Sequence, residues 1–153
     1  MNMNATTPIS IQRVIWLIYT FIAINLIVMA LIFVNQDAIG QAVIIMYQGQ
    51  GIENFQDIVA SYIYGGMAVH VILSLLGLWY AAKIKQGRRW ARRSTVIMMV
   101  ISGLISFYMF THLLAGNAEI AVHVISDIVK VTVIYLLCFP TDSKEFFRTE
   151  KFA

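Results

Sequence analysis

Long hydrophobic runs alternate with short polar segments along this chain. Four runs approach or exceed the roughly 20 residues that a helix needs to cross a bilayer, near residues 13–34, 58–82, 94–115 and 119–139. Helices satisfy all their backbone hydrogen bonds internally, which lipid requires. The pattern predicts an all-α fold, an integral membrane four-helix bundle forming a single domain over residues 1–153.

Two segments lie outside these runs. Residues 35–57 contain an apolar stretch, 42–47, that is too short to span. We expect this outer segment to form a short helix or hairpin at the membrane surface. The alternative is a cap that binds a partner. The tail, 140–153, leaves the membrane at a proline and predicts a short amphipathic helix. Asp142 or Ser143 would cap that helix, and three aromatic side chains would lie in the interface: Phe146, Phe147 and Phe152. A docking tail for a cytoplasmic partner is the alternative.

Lysine and arginine set the orientation of the spans. Residues 83–93, between the second and third runs, carry six of them, whereas residues 35–57 carry none. Cytoplasmic loops are enriched in these cations, so the pattern predicts that both termini and the basic loop are cytoplasmic. The loop is predicted to face the anionic lipid surface and not to bind nucleic acid. The residues that would face the lipid are Lys83, Lys85, Arg88, Arg89, Trp90, Arg92 and Arg93.

Composition supports the membrane assignment. Hydrophobic residues make up 59% of the chain and charged residues 12%, and the mean hydropathy is +0.76. A soluble domain is nearer to half apolar and a quarter charged. The lipid bilayer is therefore the expected surroundings. The single cysteine, Cys138, excludes a disulfide within the chain and a cysteine metal cluster.

A polar stripe runs along the fourth run. At about 100° per residue, Glu119, His123, Asp127 and Lys130 fall within roughly a quarter of a helix circumference. Charged side chains at membrane depth seldom face lipid. The middles of the spans place Asn25 and His70 in one layer with Asp127 and Lys130. His112, His123 and Glu119 form a second layer closer to the outer face. These seven residues are the predicted intramembrane polar site.

The pentapeptide AVHVI occurs twice, at 68–72 and at 121–125. Both copies lie in spans that run in the same direction. Either a helical hairpin is duplicated, as in parallel transporter repeats, or five apolar-type residues recur by chance. If the hairpin is duplicated, His70 and His123 occupy related positions on one central seam.

Three interpretations of the polar site stay open, and an enzyme is a weaker fourth. In the first, Asp127 and Lys130 neutralise each other at i,i+3 spacing and specify helix pairing. In the second, carboxylates and imidazoles form a proton or ion pathway. In the third, His123 and Asp127 at i,i+4 bind zinc together with His70. The sequence contains neither a nucleophile motif nor a phosphate-binding loop. We therefore expect that the protein is not an enzyme and has no cofactor other than zinc.

A resemblance can be stated on residues at the edges of the spans. Gly87-Arg88-Arg89-Trp90-Ala91-Arg92, the segment 137–140 and the Phe146–Phe147 pair are similar to a loose group of small bacterial four-helix membrane proteins. The resemblance implies a bacterial cytoplasmic membrane and a four-helix layout. It implies no activity.

Together these patterns predict a non-catalytic accessory, assembly or self-protection protein that acts through its helices. It would form a homo-oligomer or bind a larger membrane protein. The alternative is a small transporter or channel for protons or a divalent metal, which uses Glu119, His123 and Asp127.

Overall fold

The computed structural model describes residues 7–48, 54–112 and 117–148, with the backbone alone for 108–112 and 117–119. Six helices occupy these residues: α1 (Ile9–Val34), α2 (Gln36–Tyr47), α3 (Phe55–Lys85), α4 (Arg89–His112), α5 (Asn117–Cys138) and α6 (Thr141–Arg148). Within the described ranges there are no strands, so the prediction of an all-α chain is confirmed. The described residues of the segment 35–57 include all of α2 and the start of α3.

Among the described residues, three helices are long and apolar enough to cross a membrane. They are α1, α3 and the part of α5 from Ile120 to Cys138. The helix α4 begins with three arginines among its first five residues, and the apolar part whose side chains are described, 94–107, is shorter than a span. The third predicted span, 94–115, extends beyond those residues and stays a prediction.

One face of α1 forms the centre of the packing. Ile11, Val14, Ile18 and Phe21 recur every three or four residues, so they lie on one side of the helix. All four are at most 1% exposed. They belong to one buried cluster with side chains of α3 and α5, including Ala81, Ile84, Val133 and Leu137. As a result α1 packs mainly against α3 and α5, and α5 also packs against α4.

Many large apolar side chains point away from this cluster. Leu26, Ile72, Leu104 and Ile128 are each more than half exposed, on four different helices. A helix that is hydrophobic on all sides is suited to a protein core or to lipid. The outward apolar faces agree with the membrane composition of the chain.

A close approach between α1 and α3 occurs at Gly77. A Cβ atom added there would lie 3.1 Å from Ile22 Cγ1. Small residues let backbones approach in membrane helix pairs. The absence of a side chain at Gly77 therefore makes room for Ile22.

The connection between α3 and α4 is a tight glycine-terminated turn. Gly87 has a φ of +75°, and its N–H donates to the carbonyl of Ile84 at 2.9 Å while Arg88 N–H donates to the carbonyl of Lys83 at 3.1 Å. These two bonds define a Schellman ending, in which glycine adopts the left-handed conformation without a Cβ penalty. The segment 83–93, predicted as a loop, is therefore mostly helical, with only residues 86–88 between the two helices.

The last described helix, α6, folds back onto the basic start of α4 and the end of α5. Ser143 Oγ donates to the carbonyl of Leu137 at 3.1 Å. Phe147 is 1% exposed, and Arg89 donates to the carbonyls of Phe147 and Arg148. Phe147 is therefore buried among the helices, whereas the sequence pattern predicted that it would lie in the membrane interface. Phe152 lies outside the described residues.

Asp142, in the first turn of α6, faces the first turn of α1. The Ser10 hydroxyl, followed by the backbone N–H groups of Ser143 and Ser10, holds the pKa of Asp142 below its usual value of 3.8. Ser10 Oγ lies near the carboxylate without a hydrogen-bond partner among the described residues, whereas Ser143 N–H donates to Asp142 Oδ1 at 2.9 Å. The Ser143 bond is thus the firmer contact, and a carboxylate near a helix N-terminus is favourable.

We expect the start of α6 to be less stable in acid. Because the folded pKa of Asp142 lies below 3.8, its contribution is complete above that pH and is lost as the pH falls through the folded pKa. Limited proteolysis of the detergent-solubilised protein should show α6 becoming accessible at lower pH. Asp142→Asn should remove the part of this dependence that Asp142 causes. An identical pH profile in both proteins would contradict this role.

Candidate functional site

A buried hydrogen bond joins α1 to α3 near the middle of both helices. Asn25 is 4% exposed, and its Nδ2 donates to the carbonyl of Phe21 at 3.0 Å. The amide oxygen is then left to accept, and it lies 2.7 Å from His70 Nδ1. This network assigns the proton to Nδ1 of His70. The pair was predicted to share a layer, and the structure brings the two side chains into contact.

Asn25→Leu is expected to lower the free energy of unfolding by about 1–3 kcal/mol, because His70 loses its buried partner. The double variant Asn25→Leu/His70→Leu should recover much of that loss. Thr20→Val is a matched control, since Thr20 donates to a carbonyl on an exposed part of α1. Denaturation in detergent measures all three. If the double variant loses as much unfolding free energy as the two single variants together, Asn25 and His70 are not direct partners.

A second polar contact joins α4 to α5. Ser106 is buried, and its hydroxyl lies 3.2 Å from His123 Nδ1. The stripe residue His123 thus reaches across to the neighbouring helix. The contact links the two helices in the way that polar side chains commonly link membrane helices.

The charged pair lies within α5. Lys130 Nζ donates to Asp127 Oδ1 at 2.8 Å, as the i,i+3 spacing predicted. The ammonium also lies 3.4 Å from the carbonyl oxygen of Ser102 and 5.9 Å from the centre of the Phe21 ring. The side chain of Lys130 is 5% exposed and that of Asp127 is 42% exposed. Lys130 therefore points into the helices, while the carboxylate reaches their outer surface.

These contacts surround one cavity of about 720 Å³. Its lining is mainly apolar and comes from α1 to α5. The polar side chains that line it include Asn25, His70, Ser106, His123 and Lys130. Both histidines of the AVHVI repeat therefore face the same space. Whether the repeat is a duplication stays a prediction.

The remaining members of the predicted site are placed differently. Asp127 is not part of the cavity lining. The side chains of His112 and Glu119 lie outside the described residues, so the outer end of the predicted pathway is not described. Among the residues that were described, no three His, Cys, Asp or Glu side chains gather closely enough to hold a metal ion. Zinc binding by His70, His123 and Asp127 stays a prediction.

The residues of the basic segment have different surroundings. Trp90 lies 4.9 Å from Trp79 and 6.3 Å from Tyr80, between ring centres. Arg89 binds carbonyls of α6, and the Arg92 guanidinium lies 5.6 Å from the centre of the Phe147 ring. Two of these arginines therefore engage α6. Lys83, in the last turn of α3, donates to Gln86 at 3.4 Å.

Two serines of α4 belong to the site but were not predicted as polar partners. Ser102 contributes its carbonyl to Lys130, and Ser106 contributes its hydroxyl to His123. In the sequence they stand four residues apart, which indicates only a shared helical face. Their polarity within an apolar run was the available signal.

Comparison of the chain with protein-family models, with curated proteins and with solved structures found no match in any of the three.

Proposed function

We propose that this protein is a non-catalytic membrane protein that acts as an accessory, assembly or self-protection component by binding another membrane helix. The binding face is the outer side of α5 around Asp127. The proposal includes four spanning helices packed as a bundle, with both termini in the cytoplasm of a bacterium. The basic residues at the α3–α4 turn and in α6 support that orientation.

The observation that carries the proposal is the unequal burial of the charged pair. Asp127 stands near the middle of a helix of membrane length, yet its side chain is 42% exposed. Ionisable groups at this depth are costly when they face lipid. Lys130 neutralises the carboxylate from inside but leaves part of it uncovered. A partner helix that covers this carboxylate removes the cost.

The surroundings of Asp127 define the chemistry of the partner. Val124, Ile128 and Val131 are each about half or more exposed on α5. They offer an apolar surface to another helix. The carboxylate needs a hydrogen-bond donor opposite it, supplied by a hydroxyl, an amide or a cation. A second copy of the chain and a larger membrane protein both meet this description.

Site-specific photo-crosslinking in native membranes tests the proposal. A benzophenone amino acid at Ile128 should give an adduct, whereas the same group at Ile72 is the control. Ile72 is exposed to a similar degree on α3. A dimer-sized adduct identifies a second copy, and an adduct of any other mass identifies a different protein. No adduct from position 128, or equal adducts from both positions, would contradict a binding face on α5.

The cavity favours a second candidate, a small proton or divalent-metal transporter. His70, His123 and Lys130 line the cavity of about 720 Å³. Imidazole side chains are suited to proton relay because they titrate near neutral pH. Liposomes that contain only the purified protein test this function. Flux of protons or zinc that Asp127→Asn or His123→Gln abolishes would favour transport. No flux from folded protein would contradict it.

A further inference from the structure

A second cavity, of about 730 Å³, lies where the basic end of α4 meets the end of α5 and the helix α6. Five cationic residues line it: Arg89, Arg92, Arg93, Lys144 and Arg148. They come from the start of α4 and from α6. Sequence reasoning treated the basic segment as a general lipid-facing surface. The fold-back of α6 instead gathers cations from two separate segments around one space.

The same cavity has an apolar side. Val96 and Ile97 line it further along α4, and Cys138 lines it at the end of α5; Ile97 is 58% exposed. Val96 and Ile97 follow the arginines along α4. In the proposed topology, the cations therefore lie at the membrane edge and these apolar side chains lie toward the hydrocarbon. A ligand that fits has an anionic head and attached apolar chains.

The geometry points to a binding site for the headgroup of an anionic phospholipid. Arginine forms paired hydrogen bonds to phosphate oxygens. Basic pockets between membrane helices on the cytoplasmic side bind such headgroups. The apolar side gives room for the start of the acyl chains, which a free phosphate ion does not have. The site is separate from the face around Asp127 and stands whether or not that face binds a partner.

Two features show that the cavity is built by the fold. Arg89 fixes α6 through the carbonyls of Phe147 and Arg148, and Arg92 stacks on Phe147. These two arginines therefore shape the cavity as well as line it. Arg93 and Lys144 are exposed at its rim, so they are the residues to change in a test.

Native mass spectrometry of the full chain in detergent, with phosphatidylglycerol or phosphatidylcholine added, tests the site. We expect wild type to retain phosphatidylglycerol in preference to phosphatidylcholine. Arg93→Gln/Lys144→Gln should weaken that retention by about tenfold or more. Lys83→Gln/Lys85→Gln removes the same charge at residues that do not line the cavity, and it should leave retention unchanged.

A second variant separates a built pocket from general attraction to charge. Ile97→Trp keeps the charge and fills the apolar side of the cavity, so it should also reduce retention of phosphatidylglycerol. Equal losses in both charge variants, or no loss with Ile97→Trp, would overturn the pocket. Displacement of the lipid by millimolar inorganic phosphate would overturn a lipid as the ligand. Thermal unfolding in detergent verifies that each variant is folded.

Discussion

Asp127→Leu is expected to lower the free energy of unfolding by about 3–5 kcal/mol, because it leaves the buried ammonium of Lys130 without its counter-charge. Lys130 is the member that stays inside, with 5% of its side chain exposed. The carbonyl of Ser102, at 3.4 Å, and the ring of Phe21 are its remaining contacts among those described here. Neither supplies a full negative charge. Denaturation in detergent or lipid discs measures the loss.

The reverse substitution should also be destabilising. Lys130→Met removes the buried charge but leaves Asp127 as an unpaired carboxylate that partly faces lipid, which is costly at membrane depth. The double variant Asp127→Leu/Lys130→Met should be close to wild type in stability, since apolar replacement of a buried pair is often neutral. A double variant as unstable as Asp127→Leu would contradict the pairing of the two charges.

Arg89→Gln is expected to release α6 from the rest of the protein. The guanidinium donates to two backbone carbonyls, those of Phe147 and Arg148, and hydrogen bonds from charged groups contribute about 1.5–3 kcal/mol each. Arg89 is partly exposed, so solvent reduces this, and we expect a total loss of about 2 kcal/mol. The loss is local because α6 is the last described helix.

Hydrogen exchange and trypsin cleavage at Lys144 measure the release of α6. Both should increase in Arg89→Gln, while the remaining helices keep their protection. Lys85→Gln is the matched control, because Lys85 is exposed in the last turn of α3. Unchanged protection of α6 in Arg89→Gln would show that Phe147 and Ser143 hold the helix without it.

Sequence reasoning found the helices because their signals are local. The first hydrophobic run ends at residue 34, where α1 ends. Gly87, in the basic segment 83–93, lies at the turn whose positive φ favours glycine. The i,i+3 spacing also predicted the pair of Asp127 with Lys130. In these cases the information lies within one or two helical turns.

The contacts between helices could not be obtained in the same way. Ser106 meets His123 across two helices, and Arg89 meets Phe147 at a separation of 58 residues. The hydrophobic periodicity of a helix indicates which of its residues share a face. It does not indicate which face of another helix those residues contact. The stripe shows this limit: Asp127 and Lys130 are neighbours on α5, yet the edge of the packed surface passes between them.

The central claim, that the exposed carboxylate on α5 binds a partner, is tested most directly by affinity purification from native membranes in mild detergent. Wild type is compared with Asp127→Leu/Lys130→Met, which removes the polar contact and should keep the fold. We expect wild type to elute as a complex and the double variant to elute alone, with equal helix content. A complex of the same composition and amount in both would contradict the claim.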